Sequence, residues 1–583
     1  MSTNKEVFLD YISLYKPYWK KVSLGVFFGF IRALSIIPIP FLIRKIIDIH
    51  IPAKDFKGIT NTIILAVLFS LLNFATAICA RYLILYSSKK VIFKLRSLAC
   101  EKLQQLSLTF FDSENTSRLH TKVVMDIERV DVMSNALIAV TLVNSLIVII
   151  ALISLLFVSI KLLVIVLVIF AVFFAINRFF LKKFKEKVKI FQERAREVSI
   201  VVTEFLNSIR TIKSFATEDY EKKKIDEKFH SHTESAVDAF TTQEVYVSSL
   251  TLIFGIANLA IFGYGGYIAI KTNQIGMTIG NIILFSTFLS YFFNSINQLL
   301  TNMDQVYLGF IGLKSTYELL DYAEPIEDYK GKKKVDIITG KVEFEDVTFS
   351  YRQDVPALEN ISVVVKPGMH IALVGESGAG KSTFVNLILG FYKPVAGKII
   401  IDGMDLIDLD LRSLRLNIGV VSQDVFLFGG TILDNIRYGK MDATMDEIQN
   451  AAQLASINDF ILKLPDGYNT VVGERGVKLS AGERQRITIA RVFVRKPAIL
   501  IMDEVTSALD SESQKKVQDA VDSFYRTKTT FIIAHRLSTV VNADRILVFK
   551  KGKIIEQGNY KELLNLGGYF SKLCEQQFLK GNE

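Results

Sequence analysis

Six apolar stretches crowd into the first half of this 583-residue chain and leave it few folds to choose from. They cover residues 22–43, 59–87, 136–160, 162–177, 245–270 and 277–302. A helix needs about 20 apolar residues to cross a bilayer, and all but the fourth stretch reach that length. The third, fifth and sixth carry no charged side chain. A buried helix of a soluble domain is seldom so long and so apolar, so the expectation is six membrane-spanning helices. Short links join the first to the second, the third to the fourth and the fifth to the sixth. The other two links, residues 88–135 and 178–244, are long and polar, too long for ordinary turns. The sequence predicts that helices continue through them as rods.

Charge sets the orientation. Lys89, Lys90, Lys94 and Arg96 follow the second stretch, and Lys182, Lys183, Lys185, Lys187 and Lys189 follow the fourth. The short links carry few positive charges. Positive charge collects on the inner side of a membrane, so both termini and both long links are expected in the cytoplasm. The net charge of +10 fits this pattern better than a nucleic-acid partner. Residues 1–20 mix lysines, acids and aromatics with no cleavage site after a short apolar core, so no secretory signal is expected there. Cys79, Cys100 and Cys574 form neither a metal-binding spacing nor a disulfide framework. Pro38 and Pro40 inside the first stretch predict a kink, since proline lacks the backbone donor.

Arg32 sits about ten residues into the first stretch, or ~15 Å along a helix and near mid-membrane. Two readings stand: a cavity residue that meets an anionic or polar substrate, or a structural arginine bonded to its neighbours. Arg81 is closer to the inner end of the second stretch, where snorkelling to the interface is expected. Asn294, Asn297 and Gln298 either line a cavity or bond between helices.

The texture changes in the second half. Residues 1–322 read as the transmembrane domain, 323–340 as a polar linker and 341–583 as an α/β domain, with short β-branched runs alternating with helical patterns. Residues 370–374 form an apolar strand that runs into Gly375-Glu376-Ser377-Gly378-Ala379-Gly380-Lys381-Ser382-Thr383. This fits G-x-x-x-x-G-K-[ST], the phosphate loop: glycines turn backbone N–H groups inward, and the following helix adds its positive end. Lys381 is expected on the β- and γ-phosphates of a nucleotide, and Ser382 on Mg²⁺. Residues 499–502 form a second apolar strand, ending in Asp503 and Glu504. An acid at that strand end can hold Mg²⁺, and Glu504 is placed to act as general base on the attacking water.

Just ahead of that strand lies Leu479-Ser480-Ala481-Gly482-Glu483-Arg484-Gln485-Arg486. The run resembles the signature of ATP-binding cassette (ABC) proteins, and with six spans before the ATPase the chain is similar to type IV half-transporters such as bacterial multidrug and lipid A exporters. Phe110-Phe111-Asp112 through Asp126 resembles the first inner loop of such exporters, with Ser117 where Gly is usual and Lys122 where Arg is frequent. Ile212-Lys213-Ser214-Phe215 resembles the stretch after their fourth helix. The resemblance implies a six-helix membrane domain followed by an α/β P-loop ATPase, fuelled by ATP and Mg²⁺. It implies that Tyr351 stacks on adenine, that Gln423 senses Mg²⁺ and the membrane domain, and that Gly473-Glu474-Arg475-Gly476 touches the inner loops. It also implies that Ser507-Ala508-Leu509-Asp510 lies at a dimer seam and that His535 contacts the γ-phosphate. Ser480 and Gly482 would complete the ATP site of a partner subunit. Ala481 and Glu483 depart from the commonest form, which has Gly and Gln; Ala adds a methyl where backbone freedom is favoured.

The implied activity is ATP-driven export or flipping of a hydrophobic or amphipathic drug or lipid by a homodimer in a plasma (inner) membrane. A heterodimer stays open, as do an importer of exporter-like fold and an ATP-binding channel or regulatory subunit. No peptidase domain precedes the first span, so self-processing peptide export is not expected. Which compound is carried is not legible.

Overall fold

The computed structural model describes residues 4–114, 116–271, 277–322, 332–351, 355–423, 425–473, 476–503, 528–534 and 540–580. The chain divides into two compact units. Met1–Glu101 with Ser117–Asp321 make the first; Lys102–Thr116 with Tyr322–Glu583 make the second.

The first unit is helical. Among the described residues, five helical stretches are long and apolar enough to cross a membrane: Lys16–His50, Phe56–Gln105, Arg118–Val158, Glu218–Lys271 and Ile279–Leu320. A sixth helix, Ile160–Asn207, opens on the shorter apolar stretch Ile160–Ala171. All six predicted spans therefore fall on helices. Their outward faces are apolar, with Phe157 88% and Ile270 82% exposed, which suits lipid rather than water.

Local chemistry explains the breaks. Trp19–Ser35 stops just before Pro38–Lys45, where Pro38 takes the first helical position and its missing N–H costs nothing. The third and fourth spans separate at Ser159, two residues before the predicted boundary. Ser159 is extended, and its Oγ accepts from the N–H of Leu162 at 3.4 Å, capping the next helix. Wide turns interrupt the helix at Thr121–Asp126 and Ala136–Thr141.

The long links are rods, as predicted. Phe56–Gln105, Ile160–Asn207 and Glu218–Lys271 hold 50, 48 and 54 residues. At ~1.5 Å per residue each is ~70–80 Å long, more than twice the ~30 Å hydrocarbon core. Ile160–Asn207 and Glu218–Lys271 pack along each other beyond the apolar part. Lys187 pairs with Asp238 at 3.1 Å and Lys228 with Glu197 at 2.9 Å, while Phe191 meets the rings of His232 and Phe240.

The described residues of the second unit form two sheets. β1 (Val342–Phe349), β2 (Leu358–Val365), β4 (Ala396–Ile401) and β5 (Met404–Asp405) form an antiparallel sheet in the order β2-β1-β4-β5. β3 (His370–Gly375), β6 (Ile418–Val421), β7 (Ile499–Asp503), β8 (Thr529–Ile533), β9 (Arg545–Lys550) and β10 (Lys553–Gly558) form the other, in the order β10-β9-β3-β8-β7-β6. Strands β9, β3, β8, β7 and β6 run parallel, and β7 is an unbroken apolar run as far as Met502 because both of its faces are buried. Phe344 of β1 stacks on Phe384 at 4.2 Å, joining the first sheet to the helix that follows β3. A second core, built on Leu427, Ile436, Ile448, Ile461 and Ile487, belongs to a helical region between β6 and β7.

The segment Lys102–Thr116, drawn from the first long link, is part of this unit. Leu108 packs against the sheet core, and Phe110 is buried with its ring 4.8 Å from that of Tyr322. The Tyr392 hydroxyl donates to Asp112 Oδ2 at 2.5 Å. Burial and the nearby carboxylate together push the Tyr392 phenol well above its ordinary pKa, so it stays a donor.

Candidate nucleotide site

The site forms where β3 ends. Gly378 and Gly380 take φ of 78° and 107°, left-handed values that a side chain resists, and they bend the loop back on itself. Helix Lys381–Ile388 begins at the predicted lysine, so its N–H groups face the loop. Lys381 is 5% exposed, and its ammonium donates to the carbonyls of Gly375 at 2.6 Å and Glu376 at 2.8 Å. The charge is thereby held across the loop's mouth.

Around it opens a cavity of about 740 Å³. Ser377, Gly378, Ala379, Gly380, Lys381, Ser382 and Thr383 line it from the loop, Tyr351 from beyond β1, Gln423 from beyond β6, and Asp503 from the end of β7. That volume lies within the usual range for small-molecule sites, ~300–1,000 Å³. Tyr351 is half-exposed, and its hydroxyl donates to Thr383 Oγ1 at 3.2 Å. Its ring stands edge-on to Tyr392 at 5.1 Å. Thus the structure gathers Tyr351, the phosphate loop, Gln423 and Asp503 around one space, though they are scattered over 150 positions of sequence. Ser382, Gln423 and Asp503 offer oxygen donors of the hard kind that suits Mg²⁺. Glu504, Asp510 and His535 lie outside the described residues.

Ser480 and Gly482 are not among the residues lining this cavity. Ser480 caps helix Ala481–Phe493: its Oγ accepts from the Glu483 N–H at 3.3 Å, and Glu483 Oε2 accepts from the Ser480 N–H at 2.8 Å. This explains the two departures in the run. Glu483 closes a capping box and puts a negative charge at the helix's positive end. Ala481 is the first helical residue, where its methyl meets no backbone demand.

One contact was not legible in the sequence. Tyr569, at the start of helix Tyr569–Lys580, donates from its hydroxyl to Glu376 Oε1 at 2.6 Å, on the loop itself. Lys550 Nζ sits 4.3 Å over the Tyr569 ring. The hydrogen bond to Glu376 is the main cause that pushes the Tyr569 phenol up to about 12.

A membrane-spanning helical domain followed by a phosphate-loop ATPase with a capped signature helix defines the class: an ABC half-transporter of type IV fold. Comparison with known proteins agrees over nearly the whole chain. The sequence pattern of the ABC transporter transmembrane region matches residues 22–296, and that of the ABC transporter ATPase matches residues 358–507. The multidrug export ATP-binding/permease protein YgaD, so named, of Bacillus subtilis (strain 168) is 33% identical over 98% of this chain and 99% of its own. A protein named in the same way from Staphylococcus aureus (strain N315) is also 33% identical, over the same shares. The structure of a bacterial Atm1-family ABC exporter with ATP bound superposes with a TM-score of 0.80 at 27% identity, over 96% of this chain and 98% of that one. The chain belongs to the ABC transporter family, as a membrane protein whose ATPase binds ATP and drives transport of a substrate out across the membrane.

Proposed function

We propose that two copies of this chain form a homodimeric exporter that moves hydrophobic or amphipathic compounds, a drug or a lipid, out of the cytoplasm. One observation carries the dimer. The cavity beside Lys381 brings together an aromatic, a phosphate loop and oxygen donors, yet Ser480 and Gly482 stand outside its lining, Ser480 as the cap and Gly482 in the first turn of helix Ala481–Phe493. Each ATP would lie between one chain's phosphate loop and the other chain's Ser480 and Gly482. The relatives' names, which speak of multidrug export, support the substrate class, and the basic inner links support a cytoplasmic ATPase.

In this reading Tyr351 stacks on the adenine and Lys381 turns from the loop carbonyls to the β- and γ-phosphates. Ser382, Gln423 and Asp503 would hold Mg²⁺, which would neutralise charge on the phosphates. Glu504 orients and deprotonates the attacking water, His535 contacts the γ-phosphate, and Asp510 lies at the dimer seam. Closure of the two ATPase domains draws the long inner rods together, and hydrolysis resets them. Substituting Glu504→Gln should leave ATP bound and slow phosphate release by about 10²–10⁴-fold, the usual contribution of a general base. Phosphate release at the wild-type rate would refute the assignment.

A further inference from the structure

Across all six spans the sequence holds two charged side chains, Arg32 and Arg81, and not one acid. The structure packs the two helices that carry them against each other. Helix Trp19–Ser35 runs antiparallel to the apolar part of Phe56–Gln105: Gly25 lies against Ala80 and Ile84, while Asn73 reaches Arg32 and Ser35. Side chains on a helix lean toward its N-terminus. This lean carries Arg32 inward and Arg81 outward along neighbouring helices, toward one another and, for Arg81, away from the inner interface to which it was expected to snorkel. The Nε of Arg32 is buried with no hydrogen-bond partner among the described residues.

The place is well inside the membrane. Arg32 is 11 residues past Lys21 and Arg81 is 8 before Lys89, about 17 Å and 12 Å along their helices. Two like charges at such depth are costly unless an anion joins them. A second copy of the chain cannot supply it, because its spans are the same and hold no acid. The mount is firm: Asn73 Nδ2 donates to the Arg32 carbonyl and to Ser35 Oγ, both at 3.1 Å. Ile78 and Phe74, three and seven residues before Arg81 and so on its face of the helix, are exposed and offer an apolar track beside it.

We infer that Arg32 and Arg81 form a site for the anionic headgroup, a phosphate, sulfate or carboxylate, of an amphipathic molecule whose tail lies along Phe74 and Ile78. The site deepens the export reading, and rests on it where the occupant is the cargo. The occupant is either that cargo or a resident anionic lipid, and the chemistry is the same.

The test uses the full-length protein in phosphatidylcholine nanodiscs and two probes of equal tail, dodecyl phosphate and zwitterionic dodecylphosphocholine. Wild type should bind the phosphate more tightly. Arg32→Gln and Arg81→Gln should each weaken that binding about tenfold or more and leave the zwitterionic probe unaffected, while Arg32→Lys keeps part of the preference. Retained binding of the zwitterionic probe shows that the variants are folded. Adding phosphatidylglycerol to the discs separates the sources. Weakened dodecyl phosphate binding to wild type identifies a lipid occupant, and unchanged binding identifies cargo. Equal affinity of wild type for both probes, or no loss in the glutamine variants, overturns the site. ATP-driven uptake in proteoliposomes is read separately. Its absence for both probes, with selective binding preserved, would count against export and leave the arginine site standing.

Discussion

Glu376 is a carboxylate on a loop built to hold phosphates, and Tyr569 and Lys550 show how it is kept harmless. The hydroxyl takes up one carboxylate oxygen, and the ammonium stands over the phenol ring. Removing the hydroxyl in Tyr569→Phe frees the carboxylate beside the incoming nucleotide. The apparent KM for ATP should rise about two- to tenfold, the worth of one hydrogen bond, with kcat nearly unchanged; steady-state ATPase assays check this. The pH dependence has a definite sign. The Tyr569 pKa is raised in the fold, so its bond contributes fully below the ordinary tyrosine value of ~10 and fades as pH climbs through about 12. The KM ratio of Tyr569→Phe to wild type should therefore stay flat from pH 7 to 9. At this scale the sequence told most where residues act in contiguous runs. The phosphate loop, Asp503 and the signature could be read because each motif is local. Tyr569 could not, because its partner is 193 positions away and nothing in either neighbourhood codes the meeting.

Among elements, the short helix Leu108–Ser113 is where the first long link joins the ATPase unit. Its hold is a buried Phe110 and the bond from Tyr392 to Asp112, and Tyr392 in turn touches Tyr351 at the nucleotide cavity. Tyr392→Phe keeps the ring contacts and removes only the hydroxyl. ATP should still bind and hydrolyse near the wild-type rate, while transport per ATP consumed falls severalfold; vesicle uptake measured alongside phosphate release reads the ratio. An unchanged ratio would show that this bond does not link the two. Spans and rods were legible from hydropathy, because lipid demands long apolar helices and water tolerates their charged extensions. The break at Ser159 was misplaced by two residues, since a side-chain cap in an otherwise apolar run leaves no mark in periodicity. The wide turns at Thr121–Asp126 and Ala136–Thr141 were likewise invisible, as helix-forming sequences accept them without distinctive residues.

At the scale of the whole molecule, the site is divided between what a single chain assembles and what it leaves outside. One chain gathers Tyr351, Lys381, Gln423 and Asp503, and turns Ser480 into a helix cap away from them. A dimer with twofold symmetry would present the same surfaces from both sides and so complete two sites at once. The mixing of two defective chains tests this directly. Lys381→Ala removes the phosphate-loop charge, and Ser480→Arg blocks the signature; each should abolish ATPase activity alone. Mixed before dimer assembly at equal amounts, half of the dimers carry one intact site, made from the loop of one chain and the signature of the other. Roughly a quarter of wild-type activity should therefore return in the mixture. A mixture as inactive as its two components would contradict it, and would mean that each chain's signature serves its own loop.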